Sequence, residues 1–175
     1  MKDTLRLLLT GFCPKKCEGC CNKQWDLKNL PVAHDFSKFN TVLITGGEPL
    51  HYAYRNVTLV LIEYLQQFYP HIRIIVYTSN VEGILWLHEN VLIDGYTFTL
   101  HPGDSMVEFN DLIYSFNMQK EYTKKNLSLR LTVFKGVEIP SHLDLSLWKV
   151  KKDMEWIPDC SLPENEVFMK VPDLE

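Results

Sequence analysis

Residues 41–49 read TVLITGGEP, an apolar, β-branched run that breaks off at two glycines, an acid and a proline. Such a run is typical of a buried strand, and the glycines predict that the chain turns directly after it. A similar run, TLRLLLT at residues 4–10, precedes it and leads into a loop crowded with cysteines. Two buried strands that both end in unusual loops indicate an α/β fold with a site at one edge of the sheet.

The rest of the chain alternates between strand-like and helix-like segments. Strands are predicted at 72–77, within 91–100 as one or two short pieces, at 127–134 and at 153–157. Helices are predicted at 56–68, at 82–89, from Asp104 as N-cap through Phe116, and over 141–149. This alternation implies parallel pairing with right-handed crossovers. About six strands predict an α/β fold of the partial (β/α)6 barrel type rather than a closed eight-stranded barrel.

The domain organisation follows from length and composition. A chain of 175 residues fits one domain. We assign residues 1–157 to the barrel domain and 158–175, which hold three prolines and several acids, to a tail that packs on the domain or frays from it. Residues 21–40 contain Pro31 and little helical periodicity, so the first crossover is expected to hold only a short helical turn.

Composition excludes some function classes. The net charge of −4 argues against nucleic-acid binding through a broad basic surface. No apolar run approaches the ~18 residues of a membrane span. The N-terminus lacks the layout of a signal peptide, so we expect a cytoplasmic protein that contacts neither membrane nor nucleic acid.

The residues of chemical interest follow successive predicted strands. The cysteine loop follows the first strand, Gly46-Gly47-Glu48 the second, Thr78-Ser79-Asn80 the third and His101 the fourth. Because ligands of parallel α/β folds bind beyond the carboxyl ends of the strands, these four segments are expected to share one rim.

Cys13, Cys17 and Cys20 have the spacing Cys-x3-Cys-x2-Cys. Thiolates suit iron–sulfur clusters, and three on one loop leave a fourth iron open for a ligand. Zinc is the alternative, but it normally takes four protein ligands, and Cys21 directly follows Cys20 and is poorly placed to join them. Cys160 is interpreted as an ordinary thiol.

Gly46-Gly47 lets a ligand approach bare backbone, and Glu48 offers a carboxylate to an ammonium group. By itself this motif is more typical of a glycine turn with an exposed acid. Together with the cysteine loop it carries more weight.

The two motifs, in this order and each at a strand end, resemble those of the radical S-adenosylmethionine enzymes. Cys13-x3-Cys17-x2-Cys20 is similar to the cluster motif of that superfamily, and Gly46-Gly47-Glu48-Pro49 to its methionine-binding motif. The resemblance covers about residues 4–157 and includes the partial (β/α)6 barrel of the radical SAM type.

The resemblance implies an oxidoreductase with a [4Fe-4S] cluster held by Cys13, Cys17 and Cys20 as catalytic and metal-binding residues. S-adenosylmethionine would bind the open iron and be cleaved reductively to a 5′-deoxyadenosyl radical that abstracts hydrogen. The remaining cofactor-binding residues that it implies are Gly19, Cys21, Gly46, Gly47, Glu48, Thr78 and Asn80, with Glu48 receiving the methionine amino group. Thr78 and Asn80 have the alternative role of capping the following helix.

A narrower resemblance concerns residues 17–25. Cys17-x-Gly19-Cys20-Cys21-Asn22-Lys23 is similar to the run in the activating component of anaerobic ribonucleotide reductase, with Cys21 in place of a tyrosine. It implies abstraction of hydrogen from a glycine of a glycyl-radical protein partner, with a flavodoxin- or ferredoxin-type electron donor.

Two alternatives remain open. One is a radical enzyme with a small-molecule substrate, such as a 7-carboxy-7-deazaguanine synthase-like protein, for which His101 and Lys135 are candidate substrate contacts. The other is a non-enzymatic iron–sulfur or zinc protein, which leaves Gly46-Gly47-Glu48 unexplained.

Overall fold

The computed structural model describes residues 3–172. Its strands are β1 Thr4–Thr10, β2 Thr41–Gly46, β3 Arg73–Thr78, β4 Gly95–Leu100, β5 Ser128–Phe134, β6 Trp148–Met154 and β7 Glu166–Lys170. Its α-helices are α1 Arg55–Phe68, α2 Val81–Asn90, α3 Met106–Met118 and α4 Lys120–Asn126. The strands form one seven-stranded sheet in the order β6-β5-β4-β3-β2-β1-β7, and every neighbouring pair is parallel.

The main core lies between one face of this sheet and the helices. Alternate strand residues such as Ile44, Val76 and Phe98 are fully or almost fully buried there against helix residues such as Ile62 and Phe109. The buried strand residues recur at every second position, and the apolar helix residues recur three or four positions apart. These spacings explain why the segments form strands and helices, respectively. The fold is therefore α/β with a parallel sheet, and a helix layer covers one face.

The other face, called here the helix-free face, has a different composition. Leu8, Leu43, Ile75 and Phe168 are buried on it outside the main core. The other strand positions on this face are largely polar. Arg6 is one of them, and it forms an ion pair of 2.8 Å with Glu166 on β7. A sheet with one polar, helix-free face is compatible with a barrel-like arrangement in which that face lines the inside.

The first crossover confirms its prediction. Between β1 and β2 the chain forms two 3-10 turns, Cys21–Lys23 and Leu27–Asn29, and no α-helix. This leaves long irregular loops beside the carboxyl end of β1. None of the helices within residues 3–172 combines the length and apolar character that crossing a membrane requires.

Two predictions near the end of the chain were wrong. The helix expected at 141–149 is replaced by turns followed by β6, and the strand expected at 153–157 lies five residues earlier at Trp148–Met154. β6 is an edge strand and carries Lys149, Lys151 and Lys152. Charged edge strands discourage pairing with other chains, and the same charges obscure the apolar alternation by which strands are recognised.

The expected count of six strands is exceeded by one, because the segment assigned as a tail contains β7. β7 pairs in parallel with β1, from Thr4 opposite Glu166 to Leu8 opposite Lys170. β1 is therefore an interior strand with β2 on one side and β7 on the other.

The start of α3 also differs from its prediction. Ser105 is the N-cap, and its hydroxyl accepts a hydrogen bond from the Glu108 amide. The carboxylate of Asp104, expected to be the cap, instead accepts from the His101 amide at 2.8 Å. Asp and Ser are both favourable N-cap residues, so sequence alone does not show which of these two neighbours caps the helix.

Candidate functional site

The loops after β1 and β2 are joined by main-chain hydrogen bonds. The Gly47 amide donates to the Thr10 carbonyl at 2.6 Å, and the Glu48 amide donates to the Phe12 carbonyl at 2.7 Å. The Asn22 side chain adds a bond to the Gly46 carbonyl. The cysteine loop and the Gly-Gly-Glu turn therefore form one unit at the carboxyl rim of the sheet.

The glycines allow this close approach. A Cβ atom on Gly47 would lie 1.8 Å from the Phe12 carbonyl oxygen, a distance that backbone atoms cannot accommodate. Gly46 has a φ of +121°, a conformation that side chains other than hydrogen rarely adopt. The need for glycine at both positions thus arises from the packing of the two loops.

Cys13, Cys17 and Cys20 are all free thiols and half-buried. Burial raises the pKa of the Cys17 thiol, and the charges of Cys13 and Cys20 raise it further, while Lys15 opposes them. The Cys17 sulfur therefore lies close enough to the other two for a thiolate there to be repelled by theirs. A positively charged centre would relieve this repulsion by favouring the deprotonated form.

The donor chemistry of the loop fits an iron–sulfur cluster, but the side chains are not arranged around a common point. Within residues 3–172 no group of three or more His, Cys, Asp or Glu side chains is placed to hold a metal ion. Occupation of the loop by a cluster would thus require the three thiols to turn toward one another.

The interpretation of Cys160 as an ordinary thiol was wrong, because Cys160 forms a disulfide with Cys21. The Cα atoms are 5.5 Å apart across a sequence separation of 139 residues. Cys21 is thereby fixed beside Cys20 and turned toward the later part of the chain. This agrees with the argument that Cys21 is poorly placed as a further ligand.

The disulfide belongs to a larger contact between residues 155–160, here named the strap, and the chain after Cys20. The Trp25 indole donates to the Cys160 carbonyl at 2.7 Å, and the Cys160 amide donates to the Gln24 side chain at 3.2 Å. A Cβ on Gly19 would lie 2.4 Å from the Trp156 ring. The strap thus covers one side of the cysteine loop, and Gly19 makes room for Trp156.

Glu48 is buried at 3% exposure, and its carboxylate is fully engaged. One oxygen accepts from the Thr78 hydroxyl at 2.5 Å and the Leu50 amide at 3.1 Å. The other accepts from the Ser79 amide at 2.9 Å and the Ser79 hydroxyl at 3.2 Å. These four bonds fill the roughly four acceptor positions of a carboxylate. Because Thr78 and Ser79 lie at the end of β3, Glu48 links the end of β2 to the end of β3.

Replacing the Glu48 carboxylate by an amide tests this role. Glu48→Gln is expected to reduce the free energy of unfolding by about 2 to 4 kcal/mol. The amide NH2 of the new side chain would face hydrogen-bond donors at a position where the carboxylate oxygen accepted charge-assisted hydrogen bonds. Urea unfolding measures the change. The control is Glu108→Gln, since Glu108 is an exposed carboxylate in the first turn of α3. Equal stability of the two variants would contradict the role.

Thr78 and Asn80 lie beside Glu48 at the end of β3. Thr78 is buried and donates to Glu48, whereas Asn80 is the N-cap of α2 and its side chain accepts from the Gly83 amide at 2.9 Å. Asn80 therefore has the capping role considered as its alternative. Ser79, between them, was named with its neighbours but not as a cofactor-binding residue, although it follows the same buried strand.

His101 lies at the same rim and belongs to a polar group with Lys15 and Asp104. The Lys15 ammonium is 2.5 Å from one Asp104 oxygen, and His101 Nδ1 is 3.6 Å from the other. Burial acts to raise the pKa of Asp104, but hydrogen bonds from His101 and Lys15 outweigh it and hold the pKa below its usual range. This group ties the cysteine loop to the loop after β4.

Aromatic rings surround His101 on the other side. Its ring stacks on Phe134 with centroids 4.8 Å apart and on Trp156 at 5.7 Å. Trp156 is 43% exposed and forms part of the rim. No local pattern around residue 156 distinguishes a rim residue from a core one.

A cavity of about 200 Å³ opens at the rim between the amino ends of α2 and α3. Lys15, Glu48, Ser79, Asn80 and Asp104 supply its polar lining. It is smaller than the ~300 Å³ at which small-molecule pockets usually begin, so it would take only part of a ligand. The site as a whole joins loops from the first four strands.

The sequence matches no known protein-family model, and no curated protein matches it. What the protein does must accordingly be inferred from the residues and their geometry.

Proposed function

We propose that the protein is a radical S-adenosylmethionine enzyme that binds a [4Fe-4S] cluster through Cys13, Cys17 and Cys20. The observation that carries the proposal is the hydrogen-bonded union of the cysteine loop with Gly46-Gly47-Glu48. Their direct contact supports a shared ligand that bridges them.

The chain's own residues have distinct tasks under this proposal. The three free thiols would hold the cluster, whose chemistry when bound is to deliver one electron to the sulfonium of S-adenosylmethionine. Gly46 and Gly47 let the cysteine loop pack directly against the turn before Glu48, which brings the thiols and that carboxylate to one rim. Glu48 would receive the methionine amino group after the Ser79 hydroxyl, which rotates freely, turns away from its oxygen.

Lys15 has a supporting task. Its side chain is held by Asp104 across the rim, so the loop between Cys13 and Cys17 is tied to the loop after β4. Lys16, in the same loop, has a φ of +49°, in the left-handed region. The tie through Lys15 holds the loop at the rim.

The proposed substrate is a glycine of a glycyl-radical protein, on the resemblance of residues 17–25. In that run Asn22 fastens Gly46 and Lys23 donates to the Glu18 carbonyl at 3.3 Å, so both residues shape the cysteine loop. A small-molecule substrate is the second candidate. It is favoured by the polar and accessible residues of the helix-free face.

The test is anaerobic reconstitution with iron and sulfide, reduction in the presence of S-adenosylmethionine, and assay for 5′-deoxyadenosine. We expect the wild-type protein to form the nucleoside and Cys17→Ala to form none. Lys125→Gln is the control, because it changes an exposed residue of α4 outside the proposed ligand set and should keep both cluster and product.

Two results would overturn the proposal. The first is tight zinc binding with no cluster after reconstitution. The second is a cluster that forms equally well in Cys17→Ala. A cluster that forms in wild type without nucleoside product would instead support the electron-transfer alternative.

A further inference from the structure

The helix-free face carries a block of polar side chains on the half formed by β3 to β6. Strand register places these side chains side by side, because Cα partners in a parallel sheet point to the same face. The block consists of Tyr77, Thr97, Arg130 and Lys149 in one row and Thr99, Thr132 and Lys151 in the next row toward the carboxyl ends.

The positive charges of this block are not neutralised. Arg130, Lys149 and Lys151 are exposed, and within residues 3–172 none of them forms an ion pair. Arg6, on the same face, differs because Glu166 pairs with it. A chain with a net charge of −4 therefore gathers three uncompensated cations on one face.

A buried hydroxyl within the block also lacks a partner. Thr97 is 6% exposed, and its Oγ1 has no hydrogen-bond partner among the described residues. Its neighbours across the sheet are Tyr77 on one side and Arg130 on the other. Buried polar atoms are normally satisfied, so an orphan hydroxyl beside a free guanidinium points to a ligand that supplies the missing group.

We propose that this block binds the phosphate or carboxylate group of a small anionic ligand. Arg130 supplies the planar donor pair that suits such oxyanions, Lys149 and Lys151 add charge, and the row of hydroxyls offers donors. An oxyanion bound beside Arg130 gives the Thr97 hydroxyl the acceptor that it lacks.

The size of the ligand follows from the distribution of charge. A large polyanion such as a nucleic acid would be repelled by the net charge of −4. A small anion interacts mainly with the local cations, because screening limits charge interactions to a Debye length of about 10 Å. The block therefore favours a small molecule. It does not depend on the proposed function, because an oxyanion can bind here whether or not the cysteines hold a cluster.

The experiment titrates ¹⁵N-labelled protein, without cluster, with inorganic pyrophosphate and separately with succinate at constant ionic strength. We expect amide shifts to change at 97–99, 130–132 and 149–151. Arg130→Gln should raise the Kd at least about tenfold, as expected for loss of a charge-assisted hydrogen bond.

The matched control is Lys125→Gln, which removes one exposed positive charge from α4 and should leave the Kd unchanged. Lys149→Gln is the second variant, since an exposed edge residue can be replaced even where Arg130→Gln disturbs folding. Binding of pyrophosphate alone identifies a phosphate ligand, and binding of succinate alone identifies a carboxylate.

The inference is overturned by any of three results. The first is that neither anion changes the shifts of those amides. The second is that Arg130→Gln and Lys149→Gln both bind as tightly as wild type. The third is that Lys125→Gln weakens binding as much as those two variants do.

Discussion

Reduction of the Cys21–Cys160 disulfide is expected to lower the free energy of unfolding by about 3 to 5 kcal/mol. The bond closes a loop across 139 residues, and a cross-link over so long a loop restricts the unfolded chain strongly. It also anchors the hydrogen bonds that join Trp25 and Gln24 to the strap. Cys160→Ser should have the same effect as reduction. Urea unfolding of the oxidised protein, with and without a dithiol reductant, measures both.

Sensitivity to reductant separates this effect from general damage to the fold. Wild type should lose stability when the dithiol is added, and Cys160→Ser should be indifferent to it. Cys17→Ser, which alters a free thiol of the same loop, should respond to the reductant as wild type does. Wild-type curves that coincide with and without reductant would show that the bond contributes nothing to stability.

Gly47→Ala is expected to destabilise the protein by about 3 to 5 kcal/mol. Overpacking against the Phe12 main chain contributes about 1 to 3 kcal/mol, because neither backbone can rotate away from a contact of 1.8 Å. Separation of the loops also breaks the bonds from the Gly47 and Glu48 amides, each worth about 1 kcal/mol. Urea unfolding again gives the change.

Gly11→Ala is the matched control for this substitution. Gly11 lies in the same rim, yet no atom lies within 4 Å of a Cβ built on it, and its φ is outside the left-handed region. Its replacement should change stability by less than about 0.5 kcal/mol. Comparable losses in the two variants would mean that close packing at Gly47 is not what requires glycine.

The strands of the core were predictable because their signal is local. β1, β2, β3 and β5 lie within one residue of their predicted bounds, since buried parallel strands are continuous apolar or alternating runs. The short helix α2 was found in the same way. The convergence of four loops at one rim followed from topology alone, because parallel strands end at the same edge.

What sequence could not supply is pairing between distant residues. The bond between Cys21 and Cys160 depends on a three-dimensional approach that no spacing encodes. Glu48 accepts four hydrogen bonds from three residues, and two of these residues lie at the end of a different strand, β3. The sequence therefore could not show that the Glu48 carboxylate is fully hydrogen-bonded. β6 was misplaced because it is rich in lysine, and β7 was missed because it has only five residues.

The position of β1 between β2 and β7 has a consequence for synthesis on the ribosome. β1 precedes the other six strands in the chain, yet it obtains its second neighbour only when residues 166–170 have emerged. Until then one edge of β1 is bare and open to pairing with other chains. Nascent or truncated chains that lack β7 are therefore the species most exposed to aggregation.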